Sequence, residues 1–253
     1  MSRDTVIDSL RGFAMIAMIL IHTTAYHLGN PIAAFLWNYS QFAVQIFVFC
    51  SMYLFIKKND FSTFTGKDLL TYYKKYIPKR IFRLVLPYYI FLPFYLALQF
   101  LMNGKFPSVS YVAQSLTLTG GVDINWLVLL FLQITILSPL CLFIAQKFVY
   151  IKRLIVVFII FFLILSIPVF IRIQFPDYRW IMSIGWMYYF FFTYNLIYPA
   201  TAFIKNISRY TIILSSVGVI LGVFFPIYAH LYNQKYPPDL FFILYGVIWI
   251  TLL

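Results

Sequence analysis

Near its start the chain carries charged and imidazole side chains within an otherwise apolar stretch. Asp8, Arg11 and His22 follow one another at helical spacing, so they lie on one stripe of a helix. Arg11 and His22 share a face at an axial separation of about 16 Å. An ionisable group about halfway across a membrane is costly, and the usual reason for retaining it is function in a bundle interior. The stripe therefore predicts a functional site, and the alternative is that His22 only hydrogen-bonds a neighbouring helix.

Two arginines mark the start of a later apolar run. Arg80 and Arg83 are one helical turn apart, and guanidinium groups at that spacing can hold phosphate oxygens through paired hydrogen bonds. The alternative is a basic flank that touches anionic lipid headgroups, which is our interpretation of Lys74 and Lys75 just before them. From the residues alone, both interpretations of the arginine pair stay open.

Three further segments combine aromatic rings with hydrogen-bonding groups, which is what sugar binding requires. They are residues 37–39, residues 177–180, which include Tyr178 and Arg179, and residues 232–239. The same composition is typical of the aromatic belt at a membrane interface, and the belt is the favoured interpretation of the pattern alone.

The composition of the 253 residues requires a lipid solvent. Of these residues 63% are apolar and only 10% are charged, which a water-soluble domain cannot accommodate. The net charge of +12 does not indicate nucleic acid, because the basic residues lie between apolar runs rather than on a face with stacking aromatics. Three histidines, no glutamate, and Cys50 and Cys141 inside apolar runs offer no ligand spacing for a metal, so none is predicted.

The apolar runs predict an all-α, polytopic bundle of transmembrane helices, because helices satisfy their own backbone groups in lipid. We predict eight spans, at 11–28, 41–56, 81–102, 124–146, 154–171, 180–199, 210–229 and 240–253. With a cytoplasmic N-terminus, 15 of the 19 lysines and arginines fall on the cytoplasmic side and 4 on the other. This asymmetry is a strong positive-inside signal, so the N-terminus is predicted to be cytoplasmic.

The first helix resembles that of the acyltransferase-3 family of membrane O-acyltransferases. In that family an Asp stands two residues before Leu-Arg-Gly, and a His follows eleven residues after the Arg. Asp8, Leu10, Arg11, Gly12 and His22 are similar to this pattern.

Later motifs extend the resemblance across nearly the whole chain. The family's Arg-x-x-Arg motif followed by Pro is similar to Arg80, Arg83 and Pro87, and its Trp-containing helix that ends in Ser-Pro-Leu is similar to Trp126–Leu140. The second helix departs from the family pattern, because residues 47–52 end in Ser-Met instead of Ser-Gly. The family core has about ten spans and residues 240–253 give only about 21 Å of helix, so 1–253 is expected to be one integral membrane domain truncated at its C-terminus.

The resemblance implies a multi-pass enzyme of the bacterial cell membrane. It moves an acyl group, such as acetyl or succinyl, from cytoplasmic acyl-CoA to a hydroxyl of an extracytoplasmic glycan or glycolipid. Acyl-CoA is then a substrate, and no tightly bound cofactor is expected. The expected partners are membrane lipid, acyl-CoA and the glycan acceptor, whose binding is assigned to Trp126, Tyr178 and Arg179.

The resemblance also implies roles for the charged residues. Arg11, Arg80 and Arg83 would hold the donor phosphates, while Asp8 orients the Arg11 guanidinium. His22, as a neutral imidazole, would be the general base for the acceptor hydroxyl. The main alternative is an exporter of polysaccharide or lipid-linked saccharide, as the adhesin-type branch of the family has been regarded, which would tolerate the loss of His22.

Overall fold

The structure is a computed structural model that describes residues 4–58, 66–147, 178–198, 213, 231, 235 and 238–252. The predicted span at 154–171 lies outside the described residues, as does the span at 210–229 apart from residue 213. The chain forms two compact units, which are described separately below. The first unit comprises Met1–Phe61 with Phe148–Leu253, and the second comprises Ser62–Lys147.

The first unit begins with two antiparallel helical stretches. Helix α1 spans Thr5–Thr24 and continues into a short 3-10 turn. Helices α2, Pro31–Tyr39, and α3, Ala43–Lys58, then return along it. Asn30 starts α2 because its side chain accepts hydrogen bonds from the first free backbone N–H groups, and a proline occupies the first turn.

The later part of the first unit adds three helices: α8, Tyr178–Trp186, α9, Tyr188–Ile197, and α10, Leu240–Leu252. The sequence predicted one span at 180–199, whereas the structure breaks this stretch at Met187 into two shorter helices. A single apolar run therefore does not imply a single continuous helix.

Helix α3 lies at the centre of the first unit. It packs against α1, α9 and α10, and most of its side chains are buried. Gln45 is fully buried in this helix, and its amide nitrogen donates a hydrogen bond to the Phe242 carbonyl of α10. Tyr189 of α9 is also fully buried and donates to the Ile243 carbonyl at 3.0 Å. Because lipid offers no hydrogen bonds, these side-chain bonds to backbone carbonyls hold α3, α9 and α10 together.

The second unit contains α4, Gly66–Lys75, α5, Ile77–Asn103, α6, Val109–Thr117, and α7, Asn125–Lys147. Helix α5 contains Pro87 and Pro93, and α7 contains Pro139; membrane helices tolerate such internal prolines. Helices α4 and α6 were not predicted, because each is too short to cross a membrane.

Helix α6 folds back along α5. Tyr88 and Tyr89 of α5 donate hydrogen bonds to the backbone carbonyls of Ser115, at 2.8 Å, and Leu116, at 2.6 Å. The turn after α6 contains Leu118 in the left-handed region, with φ at +62°. Leu118 is nevertheless buried in the apolar core of this unit, with Tyr88, Leu92, Leu96 and Val122.

The described residues confirm a helical membrane fold. Four helical stretches among them are long and apolar enough to cross a membrane: Thr5–His27, Pro31–Lys58, Gly66–Asn103 and Asn125–Ala145. Within the described ranges no strand occurs, apart from an isolated bridge between Lys235 and Pro238. The count of eight spans and the cytoplasmic N-terminus stay predictions.

Gly246 of α10 provides a test of this packing. A Cβ built on Gly246 would overlap Gln45 Oε1 and the Tyr189 hydroxyl. Both side chains are fully buried and donate hydrogen bonds to α10, so a shift of either one would disturb those bonds. We expect Gly246→Ala to destabilise the protein by about 1–3 kcal/mol through overpacking. Thermal unfolding in detergent should show this as a lower Tm.

The control is Gly12→Ala in α1, where no heavy atom lies within 4 Å of the added methyl group. Its Tm should stay unchanged or rise slightly, because alanine favours a helix over glycine. Equal Tm values for the two variants would contradict the close approach of α10 to α3 and α9.

Candidate active site

The predicted stripe lies on α1, and the structure shows which face of that helix is packed. The buried residues of α1 are Ile7, Leu10, Ala14, Ala17 and Ile21. They form the face that packs on α3, where the small side chains at two positions allow close approach. The predicted stripe is displaced from this face by one residue, which is about 100° around the helix.

The three predicted catalytic residues differ in exposure. Asp8 is half-buried, while Arg11 and His22 are exposed. His22 lies in the last turn of α1, two residues before the helix ends. The mid-membrane depth expected for His22 stays a prediction, because a position within the helix does not give the depth in the membrane. Arg11 lies within electrostatic range of the buried Cys50, at the edge of the α1–α3 interface.

An ion pair fixes the N-terminal end of α1. Lys57 Nζ lies 2.7 Å from Asp4 Oδ2, and Asp4 also caps α1 by accepting from the Ile7 N–H. The hydrogen bond from Lys57 lowers the pKa of the Asp4 carboxyl. The pair places the start of α1 and the end of α3 at the same end of the unit. The count of lysines and arginines likewise predicts that both lie on the same side of the membrane.

A cavity of about 320 Å³ opens along the first three turns of α1. Its lining comprises Thr5, Val6, Ser9, Leu10 and Phe13. The wall therefore combines apolar side chains with two hydroxyl groups. Such a wall suits an extended chain that carries a few polar groups.

The arginine pair belongs to the second unit. Arg80 is half-buried at the start of α5, within electrostatic range of the Tyr72 hydroxyl, and Arg83 is exposed. The rings of Tyr72 and Tyr76 lie 4.8 Å apart beside it. Pro87 has no N–H to donate to the Arg83 carbonyl one turn before it, so one backbone hydrogen bond of α5 is missing beside the arginine pair. Because Arg80 and Arg83 are not in the unit of Arg11, their joint action stays a prediction.

The residues assigned to the acceptor are divided between the two units. Trp126 is half-buried in the first turn of α7, in the second unit. Tyr178 is the first residue of α8, and Arg179 is half-buried next to it, in the first unit. Their common role therefore also stays a prediction.

Four buried polar side chains of the first unit were not predicted as a site from the sequence: Asn38, Gln41, Lys235 and Asp239. Asn38 Oδ1 accepts from the Leu231 N–H at 2.8 Å. Lys235 Nζ donates to Gln41 Oε1 at 3.4 Å, and all four polar side chains are buried. The sequence signal was available, since amide side chains stand inside an apolar run and a Pro-Pro-Asp sequence precedes α10, but it was interpreted as an aromatic belt.

Burial shifts the ionisation of the two charged side chains among them, Lys235 and Asp239. Burial lowers the pKa of Lys235 to about 7. It also raises the pKa of Asp239 to about 7, although the hydrogen bond that Asp239 accepts from the Phe242 N–H at 2.8 Å lowers this pKa. Both groups therefore titrate near neutral pH. Asp239 also starts α10, because its side chain caps the first turn of that helix.

Comparison with known proteins decides the family. A family model described as an acyltransferase domain, that of the acyltransferase-3 family, matches residues 4–253. The chain belongs to the acyltransferase-3 family. Comparison with curated proteins and with solved structures gives no match.

Membership of the acyltransferase-3 family makes this protein a multi-pass membrane enzyme that transfers acyl groups other than aminoacyl groups. In this acyltransferase the described part of the first unit brings together α1, with its polar stripe and cavity, and the central helix α3. Among the described residues no group of three or more metal-ligating side chains could hold a metal ion.

Asp239→Asn tests the burial of the Asp239 carboxyl in this acyltransferase. Between its ordinary pKa of 3.8 and its folded pKa of about 7, the folded protein holds a proton on Asp239 that the unfolded chain has released. Wild-type stability from this group therefore falls as pH rises through that window. Asparagine still caps α10 but carries no charge. The Tm of the variant should therefore exceed that of wild type by a larger amount at pH 8 than at pH 5.

Thermal unfolding at the two pH values measures this gain, at about 2–4 °C for each kcal/mol. Asp123→Asn, at an exposed carboxyl, is the control and should show no such difference. An equal Tm difference at both pH values would show that the Asp239 carboxyl is not buried.

Proposed function

We propose that this enzyme moves an acyl group from cytoplasmic acyl-CoA to a hydroxyl of an extracytoplasmic glycan or glycolipid, in the membrane of a bacterial cell. The observation that carries the proposal is the polar stripe of α1. Arg11 stands near the helix end that carries the Asp4–Lys57 pair, and His22 stands in the last turn at the opposite end. A helix with a cation at one end and a base at the other suits a donor and an acceptor that approach from opposite sides.

His22 is the proposed general base. Its neutral imidazole accepts the proton of the acceptor hydroxyl as that oxygen attacks the thioester carbonyl of the donor. The new C–O bond forms as the C–S bond breaks, and the CoA thiolate leaves with the proton that His22 received. The products are the acylated glycan and free CoA, so no oxidant or metal is required.

Arg11, Arg80 and Arg83 are the proposed donor residues. Guanidinium groups bind phosphate oxygens through paired hydrogen bonds. Asp8 precedes Arg11 by one turn and is half-buried, so it is suited to orienting the Arg11 guanidinium. The cavity beside Thr5 and Ser9 would take the acyl and pantetheine chain of the donor.

The acceptor residues are proposed on the basis of side-chain chemistry. Trp126 and Tyr178 supply aromatic rings on which a sugar can stack, and Arg179 supplies hydrogen-bond donors. The acyl group is proposed to be acetyl or succinyl. Either acyl-CoA acts as a substrate and leaves with each turnover.

His22→Ala is the direct test of this function. Loss of the base should lower acyl transfer by about 10²–10⁴-fold, while the protein still folds and inserts, because His22 is exposed. The measurement is the ester content of the surface glycan at matched protein levels, together with transfer from labelled acyl-CoA in membrane vesicles.

His27→Ala is the matched control, because His27 is also an exposed histidine but lies in the 3-10 turn beyond α1. It should retain full transfer. If the His22 variant esterifies the glycan as wild type does, the general-base assignment is wrong. If wild type and the His22 variant display the same surface glycan without the ester, and removal of the whole protein abolishes that glycan, the exporter interpretation replaces acyl transfer.

The arginine pair is tested by replacing both residues with lysine. Arg80→Lys with Arg83→Lys keeps the positive charge but removes the paired hydrogen-bond geometry, so the Kd for acyl-CoA should rise about tenfold or more. Titration of acyl-CoA into the purified protein measures this affinity. Lys74→Arg is the control and should bind as wild type does; an unchanged Kd in the double variant would assign the arginines to the lipid boundary.

A further inference from the structure

Helix α4 is amphipathic in a way that the proposed acyl transfer does not use. At 100° per residue, Lys67, Lys74 and Lys75 fall on one side of the helix, and all three are exposed. The opposite side carries half-buried side chains, which are Leu69, Tyr72 and Tyr73. This ten-residue helix therefore has a cationic side and an aromatic side.

The aromatic side of α4 is held against the rest of the second unit. The Tyr73 hydroxyl donates a hydrogen bond of 2.6 Å to the Ile136 carbonyl of α7, and α4 also packs against α5. Because this side faces the unit, the side with the three lysines faces away from it. The orientation of the lysines is therefore fixed by packing and not by the lysines themselves.

The surroundings of the lysines combine positive charge with exposed apolar groups. Residues 66–83 carry six basic side chains and a single acidic one, Asp68. Leu70 lies beside Lys74 on the helix and is 57% exposed, and Phe82 is 63% exposed further along. Lysines whose apolar stems lie beside an exposed leucine are typical of a helix at the boundary between headgroups and acyl chains.

We propose that α4 lies on the membrane surface and binds the headgroups of anionic phospholipids through Lys67, Lys74 and Lys75. The stretch Gly66–Asn103 that contains α4 is long and apolar enough to cross a membrane, so the lysines stand where a span begins. Anionic headgroups complement their charge, and acyl chains complement Leu70. An acidic soluble protein would match the lysines but would leave the exposed apolar side chains uncovered.

The test uses the purified full chain and phosphatidylglycerol as the probe, with phosphatidylcholine as the zwitterionic comparison. Native mass spectrometry of the detergent-solubilised protein measures the bound fraction of each lipid during titration. Wild type should prefer phosphatidylglycerol, and high salt should reduce that preference. The triple variant Lys67→Gln, Lys74→Gln and Lys75→Gln should lose about tenfold or more in affinity.

Two control variants make the result specific. The triple variant Lys67→Arg, Lys74→Arg and Lys75→Arg keeps the charge and should keep the affinity. Lys105→Gln removes a lysine beyond the far end of α5 and should also bind as wild type does. If the glutamine triple variant does not fold, the three single Lys→Gln variants are titrated instead, and each should weaken binding.

Two outcomes would overturn the proposal. One is an unchanged preference for phosphatidylglycerol when the three lysines are neutral. The other is a loss of CoA binding in the glutamine triple variant, together with displacement of phosphatidylglycerol by CoA, which would assign the lysines to the donor. Because the lipid titration contains no acyl donor or acceptor, its result does not depend on whether the proposed acyl transfer is correct.

Discussion

A polar group inside a membrane has no water to bind, and the packing of both units follows from that constraint. Side chains from one helix repeatedly donate to backbone carbonyls of another: Tyr73 to Ile136, Tyr88 to Ser115, Tyr89 to Leu116, Gln45 to Phe242, Tyr189 to Ile243 and Tyr245 to Tyr39. Between two apolar surfaces in lipid there is little hydrophobic driving force, so such bonds and close contacts decide which helices associate. Five of these six donors are tyrosines, because a tyrosine ring packs against apolar surface while its hydroxyl reaches a neighbouring carbonyl.

The parts of the fold that were predictable from sequence are those that depend on neighbouring residues alone. A run of about 20 apolar residues implies a crossing whatever surrounds it, and the predicted spans at 11–28, 41–56, 81–102 and 124–146 each match a long apolar helix. Helix α6 was not predictable, because it depends on hydrogen bonds from Tyr88 and Tyr89, which lie 27 residues before their acceptors. The break at Met187 has no proline to signal it, and the bond from Asn38 to Leu231 joins residues 193 apart.

The candidate site shows the same division. That Asp8, Arg11 and His22 share a stripe follows from helical spacing, and the structure has a helix over all three. Which side of α1 packs on α3 did not follow, since lipid and protein interior both accept apolar side chains and hydropathy cannot separate them. Ala14 and Ala17 lie on the buried face, where their small side chains allow close approach of the neighbouring helix. The hydrogen bond from Lys235 to Gln41 joins residues 194 apart, so the local pattern could only suggest an interfacial belt.

Leu118 shows how a side chain can dictate a backbone shape. The left-handed conformation costs a bulky L-residue about 1–2 kcal/mol, and two glycines that could adopt it freely stand only two and three positions later. The chain nevertheless uses leucine, which packs between Tyr88, Leu92 and Val122. The packing of the Leu118 side chain therefore stabilises this turn. Glycine at position 118 would relieve the backbone strain, but it would also remove the side chain that holds the segment in the core. Among natural variants of this sequence, long apolar side chains that are not branched at Cβ should therefore be tolerated at position 118, whereas the β-branched valine and isoleucine should be selected against.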